Sequence, residues 1–193
     1  MRNGFVYKQV VCNARKAVAE IEKPNYKEQM DRNLNQIKIE IYDKCSLKIS
    51  DFKTEIESKE YNACQFQLNE LNILSRNTKI TPKKVGQFVT FWKRNENGSI
   101  EPFNENDKID FYAVNVRTEN EFGQFVFPKS VLIKKGIIST EKKEGKRAFR
   151  VYPNWDIVKS NQAERTQKWQ LNYFYEINSS TDLKKVNELY NDK

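Results

Sequence analysis

Five cations bracket one acid-free stretch of this chain: Lys79, Lys83 and Lys84 open residues 79–94, and Lys93 and Arg94 close it. Arg147 and Arg150 punctuate a later apolar run. Ammonium and guanidinium groups at strand ends suit charge-assisted contacts with phosphate oxygens. Trp92, Tyr152 and Trp155 lie in or beside the same segments, and an aromatic face beside cations is a stacking surface for an unpaired base. Lys and Arg together number 34 against 26 Asp and Glu, for a formal net charge of +8, which favours a polyanionic partner. Nucleic acid is the partner this pattern predicts.

Other chemistries are narrowed by what the chain lacks. It has no histidine, which removes Ser-His and Cys-His nucleophile pairs and leaves zinc only three distant cysteines plus a carboxylate. Cys12, Cys45 and Cys64 are odd in number and widely spaced, the pattern of reduced thiols in a cytoplasmic protein. What remains for catalysis is carboxylates with a hard cation, Mg2+ above all, together with lysine, arginine and tyrosine. No cofactor is demanded by this set. No apolar run approaches the roughly 18 residues of a membrane span, and the amino terminus lacks the apolar core of a signal peptide. A cytoplasmic location with no membrane partner is expected, and no stable protein partner is predicted.

These groups need elements to position them. The 193 residues, 38% of them hydrophobic, suffice for one domain and fall short of two ordinary ones. The expectation is a single domain over residues 1–193, with a core at about 26–177, a peripheral helix at 5–22 and a peripheral polar tail at 178–193. Helical spacing runs through Val6, Val10, Ala14, Ala17 and Ile21, and again through Tyr26, Met30, Leu34, Ile37 and Ile41. Residues 46–61 show no period. Strands are predicted at 63–68 and 71–78 around an Asn69-Glu70 turn, at 109–116 and 122–127, and at 147–152. A short helix is predicted at 129–135, stopped by Gly136. Residues 79–94 fit a strand in mid-sheet, with Val89 and Phe91 on one buried face and Phe88 and Trp92 on the other. A last helix is predicted from Ser160 over residues 160–177. Its inward stripe includes Gln167 and Gln170, whose amides either tie down a neighbouring loop, the favoured reading, or line a polar cleft. The resulting fold class is α/β (α+β), a mixed sheet flanked by helices.

Four segments in this order, residues 78–89 (TKITPKKVGQFV), 125–129 (FVFPK), 147–153 (RAFRVYP) followed by Trp155-Asp156, and 166–170 (TQKWQ), resemble the MepB-like family of bacterial proteins over about residues 61–174. That family is named from a gene cluster that also encodes a multidrug efflux pump and its MarR-type repressor. The resemblance implies a restriction-endonuclease-like or tRNA-endonuclease-like core with amino-terminal helices. In such cores an acid on one strand and an Asp/Glu-x-Lys tripeptide on the next converge on magnesium. Transferred to this chain, the metal-binding acid is Asp110, Gln124 opens the tripeptide position, and Lys129 stands in as a displaced lysine. Gln124 is neutral and Val126 occupies the usual lysine position, so the pattern is broken twice. Glu40, Glu57 or Glu60 would have to supply the second carboxylate.

Three readings therefore compete. The favoured one is DNA or RNA binding through a basic cleft on a nuclease-like fold. The second is a divergent Mg2+-dependent nuclease acting through Asp110, Gln124 and Lys129. The third is a nucleotide or small-molecule pocket in drug or stress response, lined by Trp155, Gln167 and Gln170 with Arg150.

Overall fold

Asp31 accepts a hydrogen bond from the Asn33 amide at 2.9 Å and starts α1, Arg32–Ile37, which runs on through a π-helical turn at Lys38–Tyr42. Leu34, Ile37 and Ile41 are buried along it, so helical spacing prevails over the alternation also legible at 37–41. The computed structural model describes residues 30–191; the helix predicted at 5–22 lies outside them.

The chain then enters β1, Ile49–Thr54, inside the stretch that shows no period in sequence. A bulge between Ser50 and Lys53, with Asp51 at φ 48°, breaks its alternation and leaves Phe52 as its one buried residue. β2, Cys64–Leu68, and β3, Leu71–Asn77, form the predicted hairpin. Asn69 and Glu70 both have positive φ, 47° and 71°, as a two-residue primed turn requires.

Residues 79–94 are three strands rather than one. β4, Lys79–Thr81, turns at Pro82-Lys83 into β5, Lys84–Thr90, and β6, Trp92–Arg94, pairs instead with β7, Ile100–Pro102. The predicted hairpin follows as β8, Phe111–Arg117, and β9, Phe122–Pro128, leading into α2, Lys129–Lys134. β10, Ala148–Val151, precedes α3, Asn161–Gln170, capped by Ser160 as expected. The predicted helix overruns its true end: after Gln170 one 3-10 turn gives way to β11, Phe174–Glu176, because Phe174 and Tyr175 pair with Phe125 and Gln124. Tertiary pairing overrides a spacing that also fits a helix. α4, Leu183–Asn191, closes the described chain.

A six-stranded mixed sheet, ordered β1-β2-β3-β8-β9-β11, carries the fold, with β3 and β8 its parallel pair. The three-stranded sheet β10-β5-β4 is a second layer. Alternation divides the large sheet into two faces. Tyr112, Val114, Phe125 and Phe127 meet Val89, Phe91, Phe149 and Val151 of the second layer. On the opposite face Phe111 packs against Tyr190 of α4 at 5.6 Å between ring centroids, and Arg117 donates to Asn33 and Gln36 of α1.

The stretch from β5 into β6 is therefore buried on one face only. Val89 and Phe91 are closed off, each such side chain contributing about 1.5–3 kcal/mol, whereas Phe88 and Trp92 stay half-buried. The expected peripheral tail is also corrected: Val186, Leu189 and Tyr190 of α4 are all in the core, because its 3–4 spacing gives the helix one apolar face.

Candidate nucleic-acid interface

The proposed metal triad does not assemble. Asp110 lies at the entrance to β8, where its Oδ2 accepts from the backbone amide (2.8 Å) and side-chain amide (3.0 Å) of Asn72. Its carboxylate fastens the parallel β3–β8 pair. Gln124 pairs with Asn115, five positions along β8 from Asp110, roughly 17 Å at about 3.3 Å per residue. It is fully buried on the helical side of the sheet. Lys129 turns away to donate to the Asp107 carbonyl at 2.6 Å. Glu57 is held by Arg94, and Glu40 accepts from Gln36. Among the described residues no group of three or more Cys, Asp or Glu is arranged to hold a metal ion.

Gln124 instead organises a buried polar network. Its Oε1 accepts from the hydroxyl of Tyr175 (2.5 Å) and from one of Tyr42 (2.9 Å) and Tyr190 (3.1 Å), the other of that pair donating to its neighbour's hydroxyl at 2.8 Å, and its Nε2 donates to Asn115 Oδ1 at 2.7 Å. Asn115 donates in turn to Asn77, and Asn77 to Asp31. Burial pushes the three tyrosine hydroxyls up from their ordinary range, so they remain protonated donors.

The predicted cations separate into tied and free. Lys93 is bound to Asp107 (2.5 Å) and Glu101 (3.4 Å), Arg94 to Glu57 (2.5 Å), and Arg147 to Glu144 (2.9 Å). Arg76, buried to 1% exposure, pairs with Glu55 at 2.8 Å and donates to the Trp92 carbonyl. Lys79 lies over the Tyr61 ring, 4.5 Å from its centroid. Arg150 braces the β4–β5 hairpin through Gly86 O (2.8 Å) and Thr81 Oγ1 (2.7 Å). Gly86 needs its φ of 85° and has the Tyr152 ring against its Cα, which is why no side chain fits there. Lys83 and Lys84 sit exposed at the hairpin turn with no ion pair among the described residues.

The hairpin, β10 and α3 enclose a cleft of about 410 Å³. Lys84, Lys135, Lys146 and Arg150 line it beside Phe149, Tyr152 and Trp169, and no Asp or Glu does. Lys135 Nζ stands 5.1 Å from the Trp169 ring centroid, so a cation and an aromatic face are presented together. Sequence reasoning found Lys84 and Arg150 and missed Lys135, Lys146 and Trp169. The two lysines belong to the end of α2 and the charged loop 142–146, whose proximity to β5 is a tertiary fact. Trp169 is legible in sequence only as part of a helix.

The glutamines of α3 are ties. Gln170 accepts from the Tyr152 amide and donates to the Arg150 carbonyl, both at 2.9 Å, locking the helix to β10 along the cleft floor. Gln167 Nε2 donates to the carbonyls of Pro153 and Asp156 at 2.9 Å and holds the 153–156 loop. Trp155 on that loop packs edge-on against Phe174 and lines a different cavity.

No described helix is long and apolar enough to cross a membrane. No curated protein matches the chain with significance. A solved structure described as the crystal structure of MepB is 38% identical, covering 68% of this chain and 89% of its own with a TM-score of 0.67. A bacterial homing endonuclease, I-Ssp6803I, aligns over 86% of this chain and 98% of its own at 14% identity, with a TM-score of 0.42. The MepB-like family model matches residues 55–176, a span that contains the β4–β5 hairpin, the cleft and the whole of α3, and this chain belongs to the MepB-like family.

Proposed function

We propose that this protein binds nucleic acid through the cleft between the β4–β5 hairpin, β10 and α3, in the cytoplasm. The observation that carries the reading is the lining: Lys84, Lys135, Lys146 and Arg150 with Tyr152 and Trp169, and no carboxylate. Cations converging on one concavity concentrate positive potential and draw in phosphates. Aromatic faces between them suit bases that are not paired, so a single strand or a loop is the favoured form. Metal-dependent cleavage has no convergent carboxylates to rest on among the described residues, and Asp110, Gln124 and Lys129 each carry a hydrogen-bonding role that accounts for them.

The test is the salt dependence of binding to a fluorescent single-stranded oligonucleotide. Wild-type affinity should fall steeply with salt, and Lys84→Ala combined with Lys146→Ala should flatten the log–log slope by about 0.7 for each phosphate no longer neutralised. Arg147→Ala, which removes a cation already paired with Glu144, should leave the slope unchanged. Equal slopes and affinities for wild type and the double variant would remove the cleft from the interface.

A further inference from the structure

Buried polar atoms in folded proteins nearly always have partners, and each exception calls for a reason. Among the described residues four such side-chain atoms lack one, and three of them, Gln87 Nε2, Trp155 Nε1 and Asp156 Oδ2, belong to residues lining a single cavity of about 380 Å³. That volume sits at the lower end of the roughly 300–1,000 Å³ of ligand pockets. Its rim is apolar and exposed: Ile80 and Ile157 are 63% and 80% accessible. Two walls are fixed, Trp155 by Phe174 and the 153–156 loop by Gln167. Lys84 lines both this cavity and the cationic cleft.

We infer that this cavity is a nucleobase pocket, in which Gln87, Trp155 and Asp156 read the hydrogen-bonding edge of one ring. A flat ring with a polar edge matches an apolar rim over residues whose buried polar atoms lack partners, as in sites that hold an unstacked base. The three polar atoms are screened from water, so a ring reaches them as the rim side chains part. The inference rests on the nucleic-acid reading only for the source of the base: a strand whose phosphates follow the cleft passes Lys84 and delivers a base next door.

Base preference turns on one proton. Thr78 Oγ1 lies 2.5 Å from Gln87 Oε1 and 3.0 Å from the Asn115 carbonyl, yet a hydroxyl donates only once. If it donates to Gln87, the pocket offers two donors and one acceptor, the complement of the Watson–Crick edge of a pyrimidine. If it donates to Asn115, the Gln87 amide turns over, Nε2 donates to Thr78, and the pocket offers one donor and two acceptors, the complement of guanine. Adenine, with one donor and one acceptor on that edge, fits neither arrangement.

The chain has three tryptophans, and the indole N–H resonance of Trp155 is identified by its loss in Trp155→Phe. Uridine, cytidine, guanosine and adenosine monophosphates are titrated separately, with ribose 5-phosphate as the base-free control. Either the two pyrimidines or guanosine should shift this resonance saturably, at least fivefold tighter than adenosine. Asp156→Asn, a near-isosteric change, should weaken that ligand about tenfold while the variant retains wild-type circular dichroism. An unmoved resonance, an equal response to all four bases, a preference for adenosine, or full retention of affinity in folded Asp156→Asn would overturn the pocket. Oligonucleotide binding under the same conditions separates the two ideas. Salt-dependent binding without a Trp155 shift leaves the cleft standing and the pocket refuted. A Trp155 shift without oligonucleotide binding does the reverse.

Discussion

Replacing Gln124 with leucine asks whether this residue is part of a reactive centre or the keystone of the tyrosine network. The two side chains have similar volume, so the cost is electrostatic rather than a cavity. Without the amide, Tyr42 and Tyr190 keep their mutual hydrogen bond at 2.8 Å, which satisfies one of their two protons. The other proton and that of Tyr175 lose their acceptor, and Asn115 Oδ1 loses its donor. Three orphaned buried groups at about 1–3 kcal/mol each, offset in part by the apolar side chain, give a loss of about 4 kcal/mol. Against a total stability of about 5–15 kcal/mol, that is a large fraction. Urea unfolding followed by circular dichroism measures it as a lower midpoint with an unchanged slope. Oligonucleotide affinity of the folded fraction should not change. A loss below about 1 kcal/mol would refute the network account, and failure to bind by protein that remains folded would put Gln124 in contact with ligand.

Three further outcomes follow from the geometry. Burial, with the Glu121 charge adding to it, pushes the Asp156 carboxyl up from 3.8 to about 6. The fold therefore favours the protonated form, and that contribution is fully present below about pH 3.8 and lost as pH rises through about 6. Asp156→Asn should match wild type near pH 4 and exceed it at pH 7.5. The full displacement is worth about 3 kcal/mol, and the exposed edge discounts it to about 1–2 kcal/mol; thermal melts at the two pH values check this. Arg76→Leu leaves the Glu55 carboxylate without its cation, with only the Gln65 amide still donating to it at 2.7 Å, and should cost about 3 kcal/mol, of which a second change, Glu55→Leu, should recover part; a double-mutant cycle in urea reads the coupling. Gly86→Ala places a Cβ against the Tyr152 ring at a φ of 85° and should cost at least about 2 kcal/mol, with the cleft's affinity falling alongside stability.

How far the sequence could be read depended on where the controlling contacts lie. The β2–β3 and β8–β9 hairpins, the Ser160 cap and the short helix after Pro128 are local events, and local patterns revealed them. β1 was hidden because a bulge destroys the alternation that announces a strand. β11 was hidden because its apolar spacing continues that of α3, and only its pairing with β9 distinguishes the two. The cations were visible as a set, but their sorting was not: Arg94 differs from Lys84 by a glutamate 37 residues upstream. Asp110 fell at a position that fits a metal ligand by order along the chain, while its actual partner, Asn72, lies on a parallel strand. Gln167 and Gln170 make the ties that a buried amide on an apolar stripe demands, and Gln170 lines the cleft as well, so the two roles set apart in the sequence coincide in one residue.

The tyrosine network also bears on biosynthesis. Gln124 is translated 66 residues before Tyr190, which at about 5–20 residues per second is roughly 3–13 s. During that interval the strands already made have one face without α4, β11 itself arriving only at Phe174–Glu176, and Phe111 and the Gln124 carbonyl await Tyr190. A nascent chain stalled before α4 therefore exposes apolar surface on an otherwise ordered sheet, the kind of surface that chaperones hold and that aggregates when they do not.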